Sequence, residues 1–587
     1  MVGIKCQLRI NIAEKSGIVG KSQMAYPKKQ PGVAQINLEI ARFRRWQILR
    51  HRMQRCAQKQ SQTKYTQHRQ IPYLALWLSI NRVIPVIVNA SGHSNDFATR
   101  IWPILTSSKR KGYRVTHQIN ALIADLTSLL GHGHVLCGDD MARYCKDWTG
   151  KYTASPIAVA RPANTAEVAQ TLRIAARYNT PVVPVSGLTG IVGGAMTNGG
   201  LMLSVERLNK IRDINATART ATVEAGVILS SLHDAADAQN LYFPLWFGAR
   251  GSAMIGGVLS TNAGGSNVLR YGSTRALCLG LEVVLVDGRI LNLMTALHKD
   301  NSGYDLKDLF IGAEGTLGVI TAAVMKLVPK PRAHATAMLS VRSLPDALTL
   351  LNTLQETTGG AVEAFEFMPK TYMQRMAQAR PDIRQPFTPM PNITILLEIG
   401  ATAPRDATPA PDGSLPIITQ LESTLSDMLT HGTILDAQIA QNESQRRAMW
   451  HIRELAAEIT YARKPAIDTD VSLPLDQIAT FMDNIHARLP ALDAGSETLT
   501  VGHLGDGNLH FTVFPTREDP ALADAIITAI EDEVQALNGS FSAEHGIGLS
   551  KRPSMARRKD PVALDVMRAL KAALDPDNRM NPGKILP

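Results

Sequence analysis

The order of apolar and polar positions after residue 116 predicts alternating helices and strands. Residues 120–130 place leucine and isoleucine at the spacing of a short amphipathic helix. The apolar runs 156–161 and 181–185 predict buried strands, with a helix over 166–178 between them. Asn164 is the expected N-cap of that helix, with Glu167 as its capping-box partner. Strand, helix and strand in this order predict a small parallel sheet.

The same alternation continues to a basic, proline-containing boundary at residues 326–332. The Asp287-Gly288 pair predicts a two-residue hairpin turn between two strands. Beyond the boundary the pattern is typical of an antiparallel sheet covered by helices. We therefore expect an α+β protein with two folded domains, residues 116–331 and 332–587, and a C-terminal helix. Further strands are predicted at 201–205, 220–224, 281–286, 290–293, 319–324, 337–341, 362–367 and 394–398, and further helices at 229–239, 344–354, 417–429 and 563–574.

Charge separates the first 115 residues from the rest of the chain. They hold 21 lysines and arginines against three acidic residues, a net charge of +18, whereas residues 116–587 carry −7. The acidic body gives no reason to expect nucleic-acid binding. We interpret residues 1–115 as a non-catalytic extension: a disordered basic arm, a targeting segment, or a segment absent from the mature protein. The apolar run Ile71–Ile80 is too short to span a bilayer.

Cysteine is sparse in this sequence. The 587 residues contain five cysteines and no C-x-x-C pair. This usage fits a reducing compartment and gives no zinc-knuckle or disulfide-redox signature. We expect a cytoplasmic protein, with peripheral contact with a membrane left open.

A glycine-rich loop follows the predicted strand at 181–185. Four glycines in eight positions, Gly187, Gly190, Gly193 and Gly194, let the backbone turn tightly and approach a ligand. Consecutive N–H groups in such a loop form a concavity that binds anions. The loop predicts a site for a phosphate-bearing cofactor. The alternative is a Rossmann domain, with Glu206 as the ribose-binding acid. It ranks second because the order of the glycines differs from the dinucleotide fingerprint.

A second stretch of small residues covers positions 248–265 and contains six glycines. Glycine removes the side chain at positions where backbone and ligand come close. Two such stretches in one predicted domain favour close approach to a flat ligand over the alternative, a tight loop between helices.

Residues 498–514 contain two alternating apolar strands around Asp506-Gly507. If these two residues form the turn, His503 and His510 are directly opposite each other, with Cβ atoms about 4.5–5.5 Å apart. Two imidazoles at that distance suit one metal ion. Downstream, Glu544 can supply a carboxylate ligand while His545, its neighbour in the chain, points elsewhere.

These motifs together resemble those of a known family. The segments GLTGIVGGA, GSAMIGGVLSTNAGGSNVLRYG, GAEGTLGVI, GHLGDGNLH, SAEHGIG and MNPGK occur in this order between residues 187 and 584. They are similar to the FAD-linked oxidases of the vanillyl-alcohol-oxidase (PCMH-type) superfamily, and more narrowly to its D-lactate, glycolate and D-2-hydroxyglutarate dehydrogenase branch. The resemblance implies a PCMH-type FAD-binding domain followed by a substrate domain.

The resemblance also implies roles for individual residues. His503, His510 and Glu544 would bind a divalent metal, zinc first and manganese or iron as alternatives. His545 would be the active-site base, and residues 581–584 would return to the flavin domain. Leu188 stands where members with covalent flavin carry a histidine, so we predict non-covalent FAD. The implied cofactor-binding residues are Ser186, Gly187, Leu188, Thr189, Gly190, Gly251, Ser252, Gly256, Gly257, Thr261, Asn262, Gly264, Gly265, Gly315 and Val319.

Arg453 is the residue that the resemblance implies for the substrate carboxylate, 17 positions before Asp470. A guanidinium suits a carboxylate because it can donate two parallel hydrogen bonds. A hydroxyl residue and a lysine that relatives often carry nearby are replaced by Ala457 and Asp468, and Lys464 is a candidate to compensate. These departures weaken the case for a dicarboxylate such as 2-hydroxyglutarate, and they leave D-lactate or a larger apolar 2-hydroxy acid equally open.

The predicted reaction is the oxidation of a D-2-hydroxy acid to the 2-oxo acid, with hydride transfer to FAD. His545 takes the hydroxyl proton, a role that suits a side chain titrating near neutral pH. No iron–sulfur cysteine pattern is present, so the electrons go to a separate acceptor: an electron-transfer flavoprotein, a quinone or a cytochrome. A homodimer is compatible with the sequence. The alternatives are an oxidase that uses oxygen directly and a subunit of a glycolate-oxidase-type complex.

Overall fold

The computed structural model of this chain describes residues 117–587. The interpretation of residues 1–115 as a basic extension therefore lies outside the described residues. The described part begins with helix α1, residues 117–130, whose apolar side packs into the first hydrophobic core. The amphipathic helix predicted for 120–130 is confirmed.

A four-stranded sheet carries the first glycine-rich loop. Its order is β1-β2-β4-β3, and β2, β4 and β3 are parallel, as predicted. The Asn164 side chain accepts a hydrogen bond from the Glu167 backbone N–H and caps the crossover helix. The elements are β1 (Val135–Leu136), β2 (Ala158–Ala160), α2 (Thr165–Arg177), β3 (Val182–Val185) and β4 (Leu201–Ser204).

An antiparallel five-stranded sheet of order β5-β6-β10-β8-β9 completes this half of the protein. Its apolar residues and those of the four-stranded sheet form one continuous core. A hairpin forms at Asp287-Gly288, but the predicted two-residue turn is wrong: Val284 pairs with Ile290 and the Leu285 N–H donates to the Arg289 carbonyl, which leaves a three-residue loop at 286–288. Of the two predicted turn residues only Gly288 has a positive φ, at 79°. The elements are β5 (Ile211–Asn215), β6 (Thr220–Glu224), α3 (Leu229–Asp237), β7 (Leu241–Tyr242), α4 (Ile255–Thr261), α5 (Val268–Tyr271), α6 (Thr274–Leu277), β8 (Cys278–Val284), β9 (Ile290–Leu293), α7 (Lys307–Phe310), β10 (Val319–Lys326) and β11 (Val328–Pro329).

The second half is built on an antiparallel seven-stranded sheet of order β15-β12-β14-β13-β17-β18-β16. Leucine, isoleucine and phenylalanine side chains fill the core under one face, and a methionine-rich cluster covers part of the other. The elements are β12 (Ala333–Val341), α8 (Leu344–Thr358), β13 (Val362–Pro369), α9 (Lys370–Ala379), β14 (Ile393–Ala401), α10 (Pro404–Ala407), α11 (Pro416–Thr430), β15 (Ile434–Ile439), α12 (Glu443–Glu454), α13 (Ala456–Tyr461), β16 (Ile467–Ser472), α14 (Ile478–Leu492), β17 (Glu497–His503), β18 (Asn508–Phe514), α15 (Pro520–Ala536), α16 (Arg552–Arg558) and α17 (Pro561–Leu574).

The predicted register of the β17–β18 hairpin is wrong by two residues. His503 pairs with Asn508, and His510 pairs with Val501. An Asp-Gly pair favours a type I′ turn, which needs positive φ at both central positions. Within this loop only Gly507 has a positive φ, at 82°. Residues 504–506 instead form one 3₁₀ turn before Gly507, which lengthens the loop to four residues. Because the shift is even, His503 and His510 still share one face of the sheet.

The C-terminal segment returns to the glycine-rich loop, as expected. Backbone hydrogen bonds link β3 to this segment through Val182, which donates to Arg579 and accepts from Asn581. The Asn581 side-chain amide donates to the carbonyls of Gly194 and Glu314. The C-terminal segment therefore packs against the glycine-rich loop that lies 387 residues earlier in the chain.

Candidate active site

The first glycine-rich loop presents a row of unused hydrogen-bond donors. Among residues 117–587, none accepts a hydrogen bond from the backbone N–H of any residue from 187 through 195. The loop lines a cavity of about 340 Å³. Unpaired backbone N–H groups beside a cavity are the donors that a phosphate or pyrophosphate needs.

The second glycine-rich stretch packs its backbone against this loop. A Cβ added at Gly187 would lie 2.2 Å from the carbonyl oxygen of Ser252, and one at Gly257 would lie 3.0 Å from the Ser186 side chain. The Gly257 N–H donates to the Ser186 hydroxyl at 3.1 Å. The glycines therefore let the two segments meet along one wall of the cavity.

The cavity separates the predicted cofactor-binding residues into two groups. Four of them do not line it: Asn262 ends helix α4 and accepts hydrogen bonds from Ser273 and Arg275, and Gly251, Ser252 and Gly265 lie in the supporting loops. Those that line it are Ser186, Gly187, Leu188, Thr189, Gly190, Gly256, Gly257, Thr261, Gly264, Gly315 and Val319.

Glu206, the ribose-binding acid of the alternative interpretation, has another role here. Its carboxylate pairs with Arg161 at 2.8 Å and also with Arg143. The sheet order and these ion pairs leave no support for a Rossmann-type site.

Three potential metal ligands converge at one end of the cavity. The ligand atoms of His503, His510 and Glu544 lie within 4.8 Å of one another. Nε2 of His503 is 4.0 Å from one carboxylate oxygen of Glu544, and Nε2 of His510 is 3.9 Å from the other. These separations are too long for hydrogen bonds, but they leave room for an ion with bonds of about 2.0–2.2 Å. Glu544 and His545 both line the cavity.

A buried carboxylate orients one of the two histidines. Glu366 on β13 is 0% exposed, and its Oε1 lies 2.8 Å from Nδ1 of His503. Its other oxygen accepts a 2.8 Å hydrogen bond from Nε of Arg453. A ligating histidine commonly bonds a carboxylate through its second nitrogen, so Glu366 leaves Nε2 of His503 free for a metal.

Arg453 is buried, at 8% exposure, although it lies on helix α12. Its Nη2 atom is buried and has no hydrogen-bond partner in the described part of the chain. Because a buried guanidinium nitrogen without a partner is costly, Nη2 is the atom that a substrate carboxylate would satisfy.

A second carboxylate holds His545 and the backbone around it. Asp470, 1% exposed, accepts hydrogen bonds at 3.0 Å from the backbone N–H groups of Glu544 and His545. Its Oδ2 is 3.5 Å from Nδ1 of His545. The His545 ring stacks on His510, with ring centres 5.5 Å apart. His545 therefore lies beside the ligand cluster, and with Asp470 and His510 it forms a second group whose potential ligand atoms lie within 4.8 Å of one another.

The electrostatics of the site differ between the two histidine ligands. Burial opposes the positive charge on His503, but the Glu366 carboxylate outweighs it and raises the pKa of His503 to about 9. Burial, with the neighbouring histidines and Arg453, holds the pKa of His510 well below its ordinary value, so this ring is neutral and ready to ligate. Despite burial, His545, Lys551 and His510 lower the pKa of Asp470, which stays ionised.

Sequence reasoning did not assign a role to Glu366 or Glu314. The Glu314 carboxylate lines the cavity and accepts hydrogen bonds from the backbone of Ile547 and Gly548, and burial raises its pKa. For Glu366 the sequence does contain a signal. Two acidic residues, Glu363 and Glu366, lie inside a strand whose other residues are apolar and mostly buried.

The chain has the fold of the PCMH-type flavoproteins. Residues 156–294 match the family described as "FAD binding domain", and residues 330–585 match "FAD linked oxidases, C-terminal domain". The fold is similar to p-cresol methylhydroxylase, with a TM-score of 0.61 and 16% identity over 80% of this chain and 96% of that one. It is also similar to 4-ethylphenol oxidase from Gulosibacter chungangensis, with a TM-score of 0.59 and 18% identity over 80% and 98%.

Sequence comparison narrows this class. The chain is 36% identical to the mitochondrial D-2-hydroxyglutarate dehydrogenase of Bos taurus, over 75% of this chain and 79% of the relative. It is 35% identical to the D-2-hydroxyglutarate dehydrogenase of Xanthomonas citri pv. viticola, over 76% and 92%. The chain belongs to the family of FAD-linked oxidases that contains these dehydrogenases. None of the helices between residues 117 and 587 is long and apolar enough to cross a membrane.

Proposed function

We propose that this protein is an FAD-dependent dehydrogenase that oxidises a D-2-hydroxy acid to the 2-oxo acid with the help of a divalent metal. The observation that carries the proposal is the convergence of His503, His510 and Glu544 beside the cavity lined by the glycine-rich loops. Relatives at about 35% identity bear the name of one such activity.

The two cofactors would supply chemistry that side chains lack. FAD, when bound, accepts the hydride, and the unpaired N–H groups of residues 187–195 are suited to its pyrophosphate. A divalent cation held by His503, His510 and Glu544 would supply Lewis-acid stabilisation of an alkoxide. The nitrogen and oxygen donors suit zinc first, with manganese and iron as alternatives.

The remaining tasks fall to this chain's own residues. Nη2 of Arg453 binds the substrate carboxylate and fixes its orientation. Asp470, next to Nδ1 of His545, favours the tautomer with the proton on Nδ1, which leaves Nε2 to accept the hydroxyl proton.

The flavin is proposed to be non-covalent, because Leu188 occupies the loop position where covalent attachment would need a histidine. Acid precipitation should then release yellow colour into the supernatant. A yellow pellet would contradict this part of the proposal.

We further propose that the electrons removed from the substrate would leave through a separate acceptor: an electron-transfer flavoprotein, a quinone or a cytochrome. A reducing location, the cytoplasm, is supported by three free cysteines, Cys137, Cys145 and Cys278, in the described part. The two domains are proposed to be residues 116–331 and 332–587, and a homodimer is compatible with this arrangement.

The test is anaerobic. The full chain is purified with FAD. The flavin absorbance is then followed after adding D-lactate, D-2-hydroxyglutarate, the L-enantiomer of either acid, or the achiral glycolate. Bleaching by a D-acid and not by its L-enantiomer would support the proposal. The proposal fails if flavin is bound and none of a broad panel of D-2-hydroxy acids bleaches it.

A further inference from the structure

The sheet face that carries the histidines continues beyond them along β16 and β18. Asp470 is paired with His510, and the next pair on the same face is Asp468 with Thr512. Side chains two positions apart on a strand share a face and lie about 6.6–7 Å apart. Asp468 is therefore one strand step from the ligand cluster, at the distance of a short substrate side chain.

The Asp468 carboxylate is half-buried and has no cationic partner. It accepts hydrogen bonds from the hydroxyls of Tyr461, at 2.7 Å, and Thr512, at 2.9 Å. In residues 117–587 no lysine, arginine or histidine nitrogen lies within 4.0 Å of it. Its charge is thus shared by neutral donors and is not cancelled.

The nearest cationic side chains do not pair with Asp468 in the described part of the chain. Lys464 is exposed and lines a different cavity, of about 650 Å³. Farther along the face, Arg375 and Arg463 both pair with Glu497, at 2.6 and 2.8 Å. Those two arginines share a single carboxylate farther along the face, whereas the Asp468 carboxylate itself has no cationic partner.

We propose that Asp468 is a specificity-determining residue that selects D-2-hydroxy acids whose side chain ends in a neutral or cationic hydrogen-bond donor. This inference rests on the proposed function and names its substrate class. A second substrate carboxylate near Asp468 would meet like charge in a partly desolvated site, whereas an amide, hydroxyl or amine would donate to it. The relatives are named for a dicarboxylate substrate. In this chain, the Asp468 carboxylate would disfavour the binding of such a substrate.

The test compares two substrates of almost equal size, D-2-hydroxyglutarate and its 5-amide. kcat/KM is measured with an artificial electron acceptor for the wild type, Asp468→Asn and the control Asp476→Asn, which removes the same charge from an exposed turn. The Asn side chain keeps an acceptor oxygen, and the Tyr461 and Thr512 hydroxyls can accept from its amide. Flavin content and melting temperature verify that each variant is folded.

We expect the wild type to prefer the 5-amide by about tenfold or more. Asp468→Asn should reduce this preference to near one, mainly by raising kcat/KM for D-2-hydroxyglutarate, and Asp476→Asn should leave it unchanged. Equal use of both substrates by the wild type, preference for the dicarboxylate, or an unchanged ratio in Asp468→Asn would overturn the inference. If neither these substrates nor D-lactate reduces the flavin, the proposed function itself fails, which is a distinct outcome.

Discussion

Nδ1 of His503 lies 2.8 Å from a carboxylate oxygen of Glu366, a side chain that is 0% exposed. This contact joins the sheet interior to the proposed metal centre. It turns Nε2 of His503 toward Glu544, and it also makes His503 a strong base. Both consequences can be measured on the metal-binding equilibrium.

Metal affinity should depend steeply on pH because His503 must lose a proton to bind a cation. Its pKa in the metal-free protein is raised to about 9, so protons compete with the metal below that pH. We expect the apparent affinity for Zn²⁺ to fall about tenfold per pH unit between pH 8.5 and 7. Competition against a chromophoric chelator at several pH values measures this slope, and a flat profile would contradict the assignment of His503 as a ligand.

Glu366→Gln should weaken metal binding even at high pH, where fewer protons compete with the metal for His503. At pH 9 we expect the affinity to drop about 10–100-fold, because the histidine loses the carboxylate that orients it. The pH slope should also flatten, since the carboxylate that raises the pKa of His503 is gone. Glu363→Gln is the matched control: the same change, also in β13, on a carboxylate that contacts Arg270 and Tyr271. Equal losses in both variants would point to general destabilisation.

His545→Asn should separate chemistry from cofactor binding. The asparagine keeps the backbone contact to Asp470 but cannot accept the substrate proton. We expect the rate of flavin reduction to fall about 10²–10⁴-fold, with FAD content and metal content unchanged. Stopped-flow absorbance under nitrogen gives the rate, and His486→Asn, at an exposed position, is the control. A rate within threefold of the wild type would remove His545 from the proton transfer.

Gly187→Ala should prevent FAD binding. The added Cβ would lie 2.2 Å from the carbonyl oxygen of Ser252, so the loop must move away from the second glycine-rich stretch. We expect purified Gly187→Ala to carry little flavin, read from the ratio of flavin to protein absorbance. Gly133→Ala is the control, because a Cβ there meets nothing within 4 Å. Full flavin occupancy in Gly187→Ala would show that the loop does not need this close contact.

The sequence predicts the elements better than their junctions. Hydrophobic periodicity and the Asn164 cap place α2 within one residue at each end. The sequence cannot predict how residues 504–507 fold, because Asp506-Gly507 is compatible with both a two-residue turn and a four-residue loop. The local sequence contains the same residues in either case, and the packing of the loop decides between them.

The candidate site shows the same division. Glycine-rich loops and paired histidines are visible because several unusual residues are close in sequence. Glu366 and Asp468 are single acids in strands, and their meaning depends on which face of the sheet they occupy and on what neutralises them. Those facts come from strand pairing between segments that are more than 40 residues apart.

The most direct test of the central claim is to remove and return the metal while watching the flavin. The holoenzyme is treated with a chelator, its FAD content is verified, and anaerobic reduction by its best D-2-hydroxy acid is measured before and after adding Zn²⁺ or Mn²⁺. We predict that reduction is lost on chelation and restored at one metal ion per chain, and that His510→Ala abolishes the restoration. Unchanged reduction in the chelated enzyme, with no metal detected, would contradict the account.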